Sequence, residues 1–358
     1  MILHTITLQR STIALKKPFI TALRRVDAAE SLVITLTTVN GIMAIGEAPP
    51  SVAITGESMQ TMETAITQII APKILHVNFT TMAAMLQAVQ ESCTHHSSAK
   101  AAVDMAIYRL YARARSQSLL HFLGGSHTPL STYVTISLNT PQIMANDAAE
   151  AYRNGDSFLK IKVGASDGRD LERITEVKQA VPKAAIIIDA NQAWSYEQSL
   201  AIIDALKGMD IVAIEQPVKA NEVHALKAIT AYTSIDIIAD EAVFTLEDAR
   251  DIIASKSADI INIKLMKCGG ISQALQIVAL CRHHQVACMM GSMLEGIFSI
   301  EAAMCLAMTH RDVIQLVDLD SPILYETMPR HSVISCKERK LSITALDSSY
   351  EGETESKV

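Results

Sequence analysis

Aromatic side chains are scarce in this chain of 358 residues: one Trp, eight Tyr and six Phe. With 16 Met and 49% hydrophobic residues, the core must be mainly aliphatic, which suits close-packed helix–sheet layers. Cysteine is sparse too: the six are scattered without a CxxC pair, so they read as free, small apolar side chains rather than a disulfide framework or a thiolate metal site. The doublets His95-His96 and His283-His284 lack a third ligand at metal spacing and read as helix-surface residues. Positive charge is not in excess. The formal net charge of −7 gives a nucleic-acid role no electrostatic support. No apolar run approaches the roughly 18 residues needed to span a bilayer, and no basic-then-apolar signal pattern opens the chain. A cytoplasmic protein with no membrane and no nucleic-acid partner is expected. No low-complexity tract argues for disorder, and the length allows one large domain or a large one with a smaller companion.

The first fifty residues alternate in strand fashion over Ile2–Leu8, Ser31–Thr37 and Ile42–Ile45, with Asn40-Gly41 as a hairpin signal between the last two. From about Ser58 to Leu123 the pattern is helical, and Ser97-Ser98 is expected to cap an apolar helix. Residues 1–123 thus read as an α+β unit. Gly124-Gly125-Ser126 marks a boundary. Beyond it, strands are expected at Tyr133–Leu138, Phe158–Val163, Ala185–Ala190, Val212–Glu215, Ile237–Asp240, Asp259–Lys264, Ala287–Gly291 and Val313–Leu319. Helical stretches such as Ser195–Lys207, Leu246–Ala254 and Ser272–His283 separate them. Their continuous apolar character indicates parallel strands covered on both faces. The fold class is therefore α/β, with residues 124–320 forming a TIM-like (β/α)8-type barrel in modified form, seven helices serving eight strands. The pattern alone leaves an open doubly wound sheet as the alternative. Residues 321–358 hold short alternating stretches at Ser332–Ser335 and Lys340–Thr344 that do not extend the barrel. They are expected to return to the N-terminal unit, and the acidic tail Ser348–Val358 is expected to fray.

Five consecutive strand candidates end on a charge: Lys162, Asp189, Glu215, Asp240 and Lys264, spaced 27, 26, 25 and 24 residues apart. Those steps match one strand–helix–loop unit. Buried strand-end charges are costly unless they meet partners. In an eight-stranded barrel, Asp189, Glu215 and Asp240 lie on contiguous strands at the C-terminal rim, where barrel active sites sit. Lys162 and Lys264, four strands apart, face each other across the mouth. Three oxygen ligands without Cys or His suit Mg²⁺, with Mn²⁺ as substitute. Such a cation beside two opposed lysines suits α-proton chemistry on a carboxylate: one lysine removes the proton and the other returns one to the opposite face. Lys160 faces the same way as Lys162 and is placed to hold the developing enolate oxygen.

In Lys160-Ile-Lys162, Asp189-Ala-Asn191, Glu215-Gln-Pro217, Asp240-Glu241 and Asn262-Ile-Lys264, the chain resembles the enolase superfamily, muconate-lactonising subgroup, over nearly its whole length. Lysine bases beside Mg²⁺ are a general pattern of enolase-type sites. The resemblance implies one Mg²⁺ per subunit, a homo-oligomer, and an N-terminal unit that caps the barrel mouth and selects the substrate.

Within the subgroup the chain is most similar to the dipeptide epimerases, particularly the L-Ala-D/L-Glu type. Asp318-Leu319-Asp320, at the end of the eighth strand, would bind the free α-ammonium of a dipeptide, whereas diacid substrates would be repelled there. Lys17–Arg24 resembles the family's flexible capping loop, which implies that Arg24 pairs with the distal carboxylate of a Glu side chain. Arg25 stands beside it as a competing candidate. Thr135, Ser292 and Leu294 match substrate-contacting positions, the last two acting through their backbone. Leu319 and Gly296 stand where relatives commonly carry an aromatic and a bulkier residue, changes that would reshape the side-chain pocket. The implied activity is epimerisation of the C-terminal residue of L-Ala-X, a reaction that fits recycling of cell-wall peptides. Muconate cycloisomerase, o-succinylbenzoate synthase and a Schiff-base lyase using Lys264 are the alternatives. A phosphate site at Gly269-Gly270 is a further one.

Overall fold

The structure is a computed structural model that describes residues 1–22, 24–337 and 339–344. The tail Ser348–Val358 lies outside the described residues. Among them no helix is long and apolar enough to cross a membrane.

The N-terminal sheet has the order β1 (Leu3–Ile20), β2 (Arg25–Thr38), β3 (Met43–Ala48), all antiparallel. In β2, Leu32, Ile34 and Leu36 are fully buried and their neighbours Val33, Thr35 and Thr37 only partly so, the period of two that a one-sided sheet requires. The buried face packs on the helix Ser97–Arg113. That helix is not capped by a serine. His96 holds the N-cap position at φ +66 without a side-chain bond, and the Glu57 carboxylate accepts the amides of Ser98 (2.8 Å) and Ala99 (3.2 Å). A remote carboxylate satisfies these buried helix amides, so a local hydroxyl is not needed.

After β4 (Leu130–Ser131) come the eight barrel strands: β5 (Val134–Ile136), β6 (Phe158–Lys162), β7 (Ala185–Asp189), β8 (Ala213–Glu215), β9 (Asp236–Ala239), β10 (Ile260–Ile263), β11 (Ala287–Gly291) and β12 (Ile314–Asp318). Neighbours are parallel throughout. The Tyr133 amide donates to the Val317 carbonyl at 2.8 Å and joins the two ends, which excludes the open doubly wound sheet. The helices between strands are Pro141–Arg153, Asp170–Ala180, Tyr196–Ala205, Val223–Tyr232, Leu246–Ser255, Ile271–His284 and Ile297–Thr309. Tyr196–Ala205 begins with a capping box between Ser195 and Gln198.

Tyr133, Ile187, Ala213, Ile238, Ile260 and Met289 form an apolar cluster of their own, apart from the larger core between strands and helices. Asp189, Glu215, Asp240 and Asn262 each follow one of these residues by two positions. The strand period therefore turns them to the same face, one layer higher toward the C-terminal rim.

Two carboxylates from the N-terminal unit dock it on the barrel. Glu47 in β3 accepts the amides of Phe298 (2.7 Å) and Ser299 (3.2 Å) at the start of Ile297–Thr309. Asp104 accepts the Ser272 amide (3.2 Å) and hydroxyl at the start of Ile271–His284. Gly296 and Gly270 follow from this close approach: a Cβ would lie 1.8 Å from Glu47 Oε1 or 2.6 Å from the Asp104 carboxylate. The Asp104 carboxylate thus occupies the helix terminus behind Gly269-Gly270 that a phosphate would need.

The C-terminal residues divide between two places. The Glu326 amide donates to Ala14 in β1 at 2.8 Å, a contact with the N-terminal unit. The hairpin β13 (Ile334–Lys337) and β14 (Lys340–Ile343) instead pairs with β4, Leu341 opposite Leu130, below the first barrel strand.

Candidate active site

The polar layer above the barrel's apolar cluster is dense with charge. Asp189 and Glu215 are fully buried and Lys160 is 1% exposed. The Lys160 ammonium stands 3.0 Å from Asp189 Oδ2, 2.7 Å from Glu215 Oε2 and 2.8 Å from Asp318 Oδ2. Lys162 Nζ lies 2.5 Å from Asp189 Oδ2, and Lys264 Nζ 2.6 Å from Asp240 Oδ2. Lys267, which sequence reasoning missed, places its ammonium 2.7 Å from Asp240 Oδ1. Its signal was available: it stands three residues beyond Lys264 on the turn after β10.

Burial alone would push every one of these acids up, and the lysines decide which are held down. Asp189 is pushed up by burial but pulled further down by Lys160 and Lys162, to about 2. Asp240 is likewise held below the usual carboxylate range against its burial, by Lys264, Lys267 and Lys160. Glu215 is pushed up to about 8 by burial and by Asp189, with Lys160 only partly compensating. Burial disfavours the Lys160 and Lys264 ammoniums, but the surrounding carboxylates outweigh it and raise both.

Of the three neighbouring carboxylates, Glu215 is thus the one whose negative charge the lysines compensate least. Glu215 Oε2 has Lys160 at ion-pair distance but no aligned hydrogen bond. Among the described residues no three acidic, His or Cys side chains are gathered on one point; lysine ammoniums stand between the carboxylates. The donor set of hard oxygens and the crowded charge at Glu215 nevertheless fit a divalent cation of the Mg²⁺ type.

Above this layer opens a cavity of about 600 Å³, counting its mouth. Arg24, Thr135, Lys160, Lys162, Asp240, Lys264, Ser292, Leu294, Asp318 and Asp320 all line it; Asp189 and Glu215 sit just beneath. Asp320 accepts the Thr135 amide at 2.7 Å, and burial and Asp318 push it up to about 6. Ser292 donates its amide to Asp318 O at 3.1 Å, which commits that N–H within the protein. Arg24 reaches the cavity from the tip of the β1–β2 hairpin, with Phe19 and Thr21. Burial lowers its pKa, and no ion pair to it forms among the described residues. Arg25 points away to Asp27 at 3.4 Å, which separates the two neighbouring arginines. Residues Lys17–Ile20, read as loop, are instead the end of β1, anchored where the Leu138 amide donates to Ile20 O at 2.9 Å.

Ala53, Ile54, Asn191, Glu241 and Met293 also line the cavity. Ala53 and Ile54 sit on the short helix Val52–Thr55, which carried no chemical signal in the sequence. Leu319 is fully buried and, like Gly296, is not among the lining residues, so neither departure reshapes the cavity wall directly.

Residues 3–124 match the mandelate racemase / muconate lactonizing enzyme N-terminal domain, and residues 143–334 match the enolase C-terminal domain-like family. The chain belongs to the enolase superfamily. Among relatives in this superfamily, the L-amino acid-D/L-Glu epimerase of Sulfurimonas denitrificans is 43% identical over 91% of this chain and 94% of its own length. The substrate-liganded L-Ala-D/L-Glu epimerase of Bacillus subtilis superposes with a TM-score of 0.92 at 38% identity, covering 96% of each chain. A dipeptide epimerase of Enterococcus faecalis, complexed with Mg and L-Leu-L-Tyr, superposes at 0.90 with 32% identity over 96% of this chain and 98% of that one.

Proposed function

We propose that this superfamily member is a Mg²⁺-dependent dipeptide epimerase that inverts the α-carbon of the C-terminal residue of L-Ala-X, with X glutamate. The observation that carries the reading is the pair of lysines on one cavity: Lys162 closes β6 and Lys264 follows β10, four strands away around the barrel. A substrate α-carbon between them loses its proton to one lysine and receives another from the opposite side, so the configuration inverts. Lys264, whose ammonium Asp240 stabilises, is set to deliver a proton in one direction and to take it in the reverse. Asp189, Glu215 and Asp240 would hold one Mg²⁺ per subunit, with Mn²⁺ as substitute; bound there, the cation stabilises negative charge on the substrate carboxylate. Lys160, fixed by three carboxylates, adds a permanent positive charge beside the developing oxyanion.

Asp318 and Asp320 would receive the α-ammonium of the dipeptide. Burial first and Asp318 second push Asp320 up, and a cation bound there would relieve both where a diacid would aggravate them. This weighs against a cycloisomerase or a succinylbenzoate synthase. Arg24 would take the distal carboxylate of X in a charge-assisted pair, and Thr135, Ser292 and Leu294 border the substrate. The names of the three relatives, all epimerases, support the same reaction class. A peptide of alanine and glutamate is cell-wall chemistry, so the proposed setting is recycling of such peptides in the cytoplasm by a homo-oligomer. Incubation with Mg²⁺ and L-Ala-L-Glu in D₂O is expected to place deuterium on the glutamate α-carbon as the D epimer appears. Absence of exchange across a panel of dipeptides would overturn the reading.

A further inference from the structure

Three side chains just past the carboxylate-bearing strands have a left-handed backbone without being glycine: Asn191 (φ +45), Gln192 (φ +69) and Gln216 (φ +38). Positive φ is uncommon outside glycine and persists where the surroundings impose it. Gln216 is the one with bonds to both neighbouring strand ends. It is fully buried and directly follows Glu215. Its amide N–H donates to Ile238 O in β9 at 2.9 Å, and its carbonyl accepts the Gln192 amide at 2.9 Å. Its side-chain Oε1 accepts two backbone amides, those of Asp240 and Ala242, each at 3.0 Å. Its Nε2 donates to Val218 O at 3.0 Å. One residue therefore joins the ends of β7, β8 and β9, the three strands that carry Asp189, Glu215 and Asp240.

The left-handed turn is what directs the side chain sideways beneath the next strand end. An extended residue following Glu215 would send it to the other face of the sheet, because strand side chains alternate. The amides of Asp240 and Ala242 lie beyond the last residue of β9, where no ladder partner remains for them. Gln216 Oε1 supplies that partner.

We infer that Gln216 is a positioning residue that sets the separation and orientation of the Glu215 and Asp240 carboxylates, and through them the affinity for the divalent cation. This rests on the reading of Asp189, Glu215 and Asp240 as cation ligands. Gln216 touches neither the cavity nor the reacting atoms. Outer partners of metal ligands typically change affinity by about 10- to 100-fold when removed.

The test is Mg²⁺ titration calorimetry on the whole chain, with thermal unfolding recorded in parallel. Gln216→Met keeps the shape and removes the acceptor, and is expected to weaken Mg²⁺ binding at least tenfold. Gln216→Glu keeps the oxygen acceptor and, when protonated, an O–H donor toward Val218 O; it is expected to stay within about threefold of wild type. Gln216→Gly accepts positive φ without strain and lacks the amide, so it gives the same tenfold weakening if the methionine variant does not fold. A folded Gln216→Met or Gln216→Gly protein that binds Mg²⁺ within twofold of wild type overturns the inference alone. Wild-type protein that binds no Mg²⁺ overturns the ligand reading, and the inference with it.

Discussion

Two groups of buried carboxylates serve this molecule differently. At the seam between the N-terminal unit and the barrel, Glu47 and Asp104 face the amides of helix N-termini. At the barrel mouth, Asp189, Glu215, Asp240, Asp318 and Asp320 face lysines and one another. Both groups are desolvated. The seam acids have partners fixed in the backbone, which satisfy them locally and ask for nothing from solution. The mouth acids depend on buried lysine ammoniums, which leave Glu215 and Asp320 poorly compensated. Burial of an acid is therefore no mark of function by itself; the partner is what distinguishes the two.

Substitutions should separate the groups. Lys162→Ala or Lys264→Ala is expected to lower epimerisation about 10³-fold or more, the scale of a lost general acid–base, measured by the rate of conversion on folded protein. Asp320→Asn should raise KM for a dipeptide by roughly 30- to 100-fold, about 2–3 kcal/mol, because it removes a charge that meets an ammonium in a buried place; steady-state kinetics checks it. Glu215→Gln should weaken Mg²⁺ binding more than tenfold in calorimetry while leaving thermal stability equal or higher, since it relieves crowding among like charges. Glu47→Ala should do the reverse: Mg²⁺ affinity within twofold, and a loss of about 1–3 kcal/mol in denaturant unfolding from helix amides left without an acceptor.

A further effect lies in the pH dependence of the seam. Burial pushes Asp104 up to about 7, against its hydrogen bonds from Ser272. A folded-state pKa above the unfolded value means that the native protein holds the proton more tightly. The stabilisation linked to that proton is present below about pH 4 and is lost as pH rises through 7. Relative to Asp104→Asn, the wild type is thus expected to lose stability between pH 4 and 7 and level off above; denaturant midpoints at several pH values measure the difference.

The mouth was legible in the sequence because its geometry is repetitive. A strand period of two and a unit of about 25 residues place Lys162, Asp189, Glu215, Asp240 and Lys264 on one rim before any contact is known. The seam was not legible. Glu47 meets Phe298 and Asp104 meets Ser272 across 251 and 168 residues, and neither end carries a local pattern. The trace that existed was negative: Gly270 and Gly296 precede helices with no capping side chain of their own, which signals an acceptor from elsewhere. The expected Ser97-Ser98 cap failed for the same reason, with Glu57 supplying the acceptor. Gln216 stands inside the Glu215-Gln-Pro217 match, but its bonds to the neighbouring strand ends depend on a left-handed backbone that sequence does not show.

The opposed lysines are tested most directly by following α-hydrogen exchange in D₂O for each single lysine variant, starting from L-Ala-L-Glu and separately from L-Ala-D-Glu. Lys162→Ala should still exchange one of the two epimers and Lys264→Ala only the other, because each variant keeps the base on one face. Equal exchange of both epimers by both variants would contradict placement of one base on each side of the α-carbon.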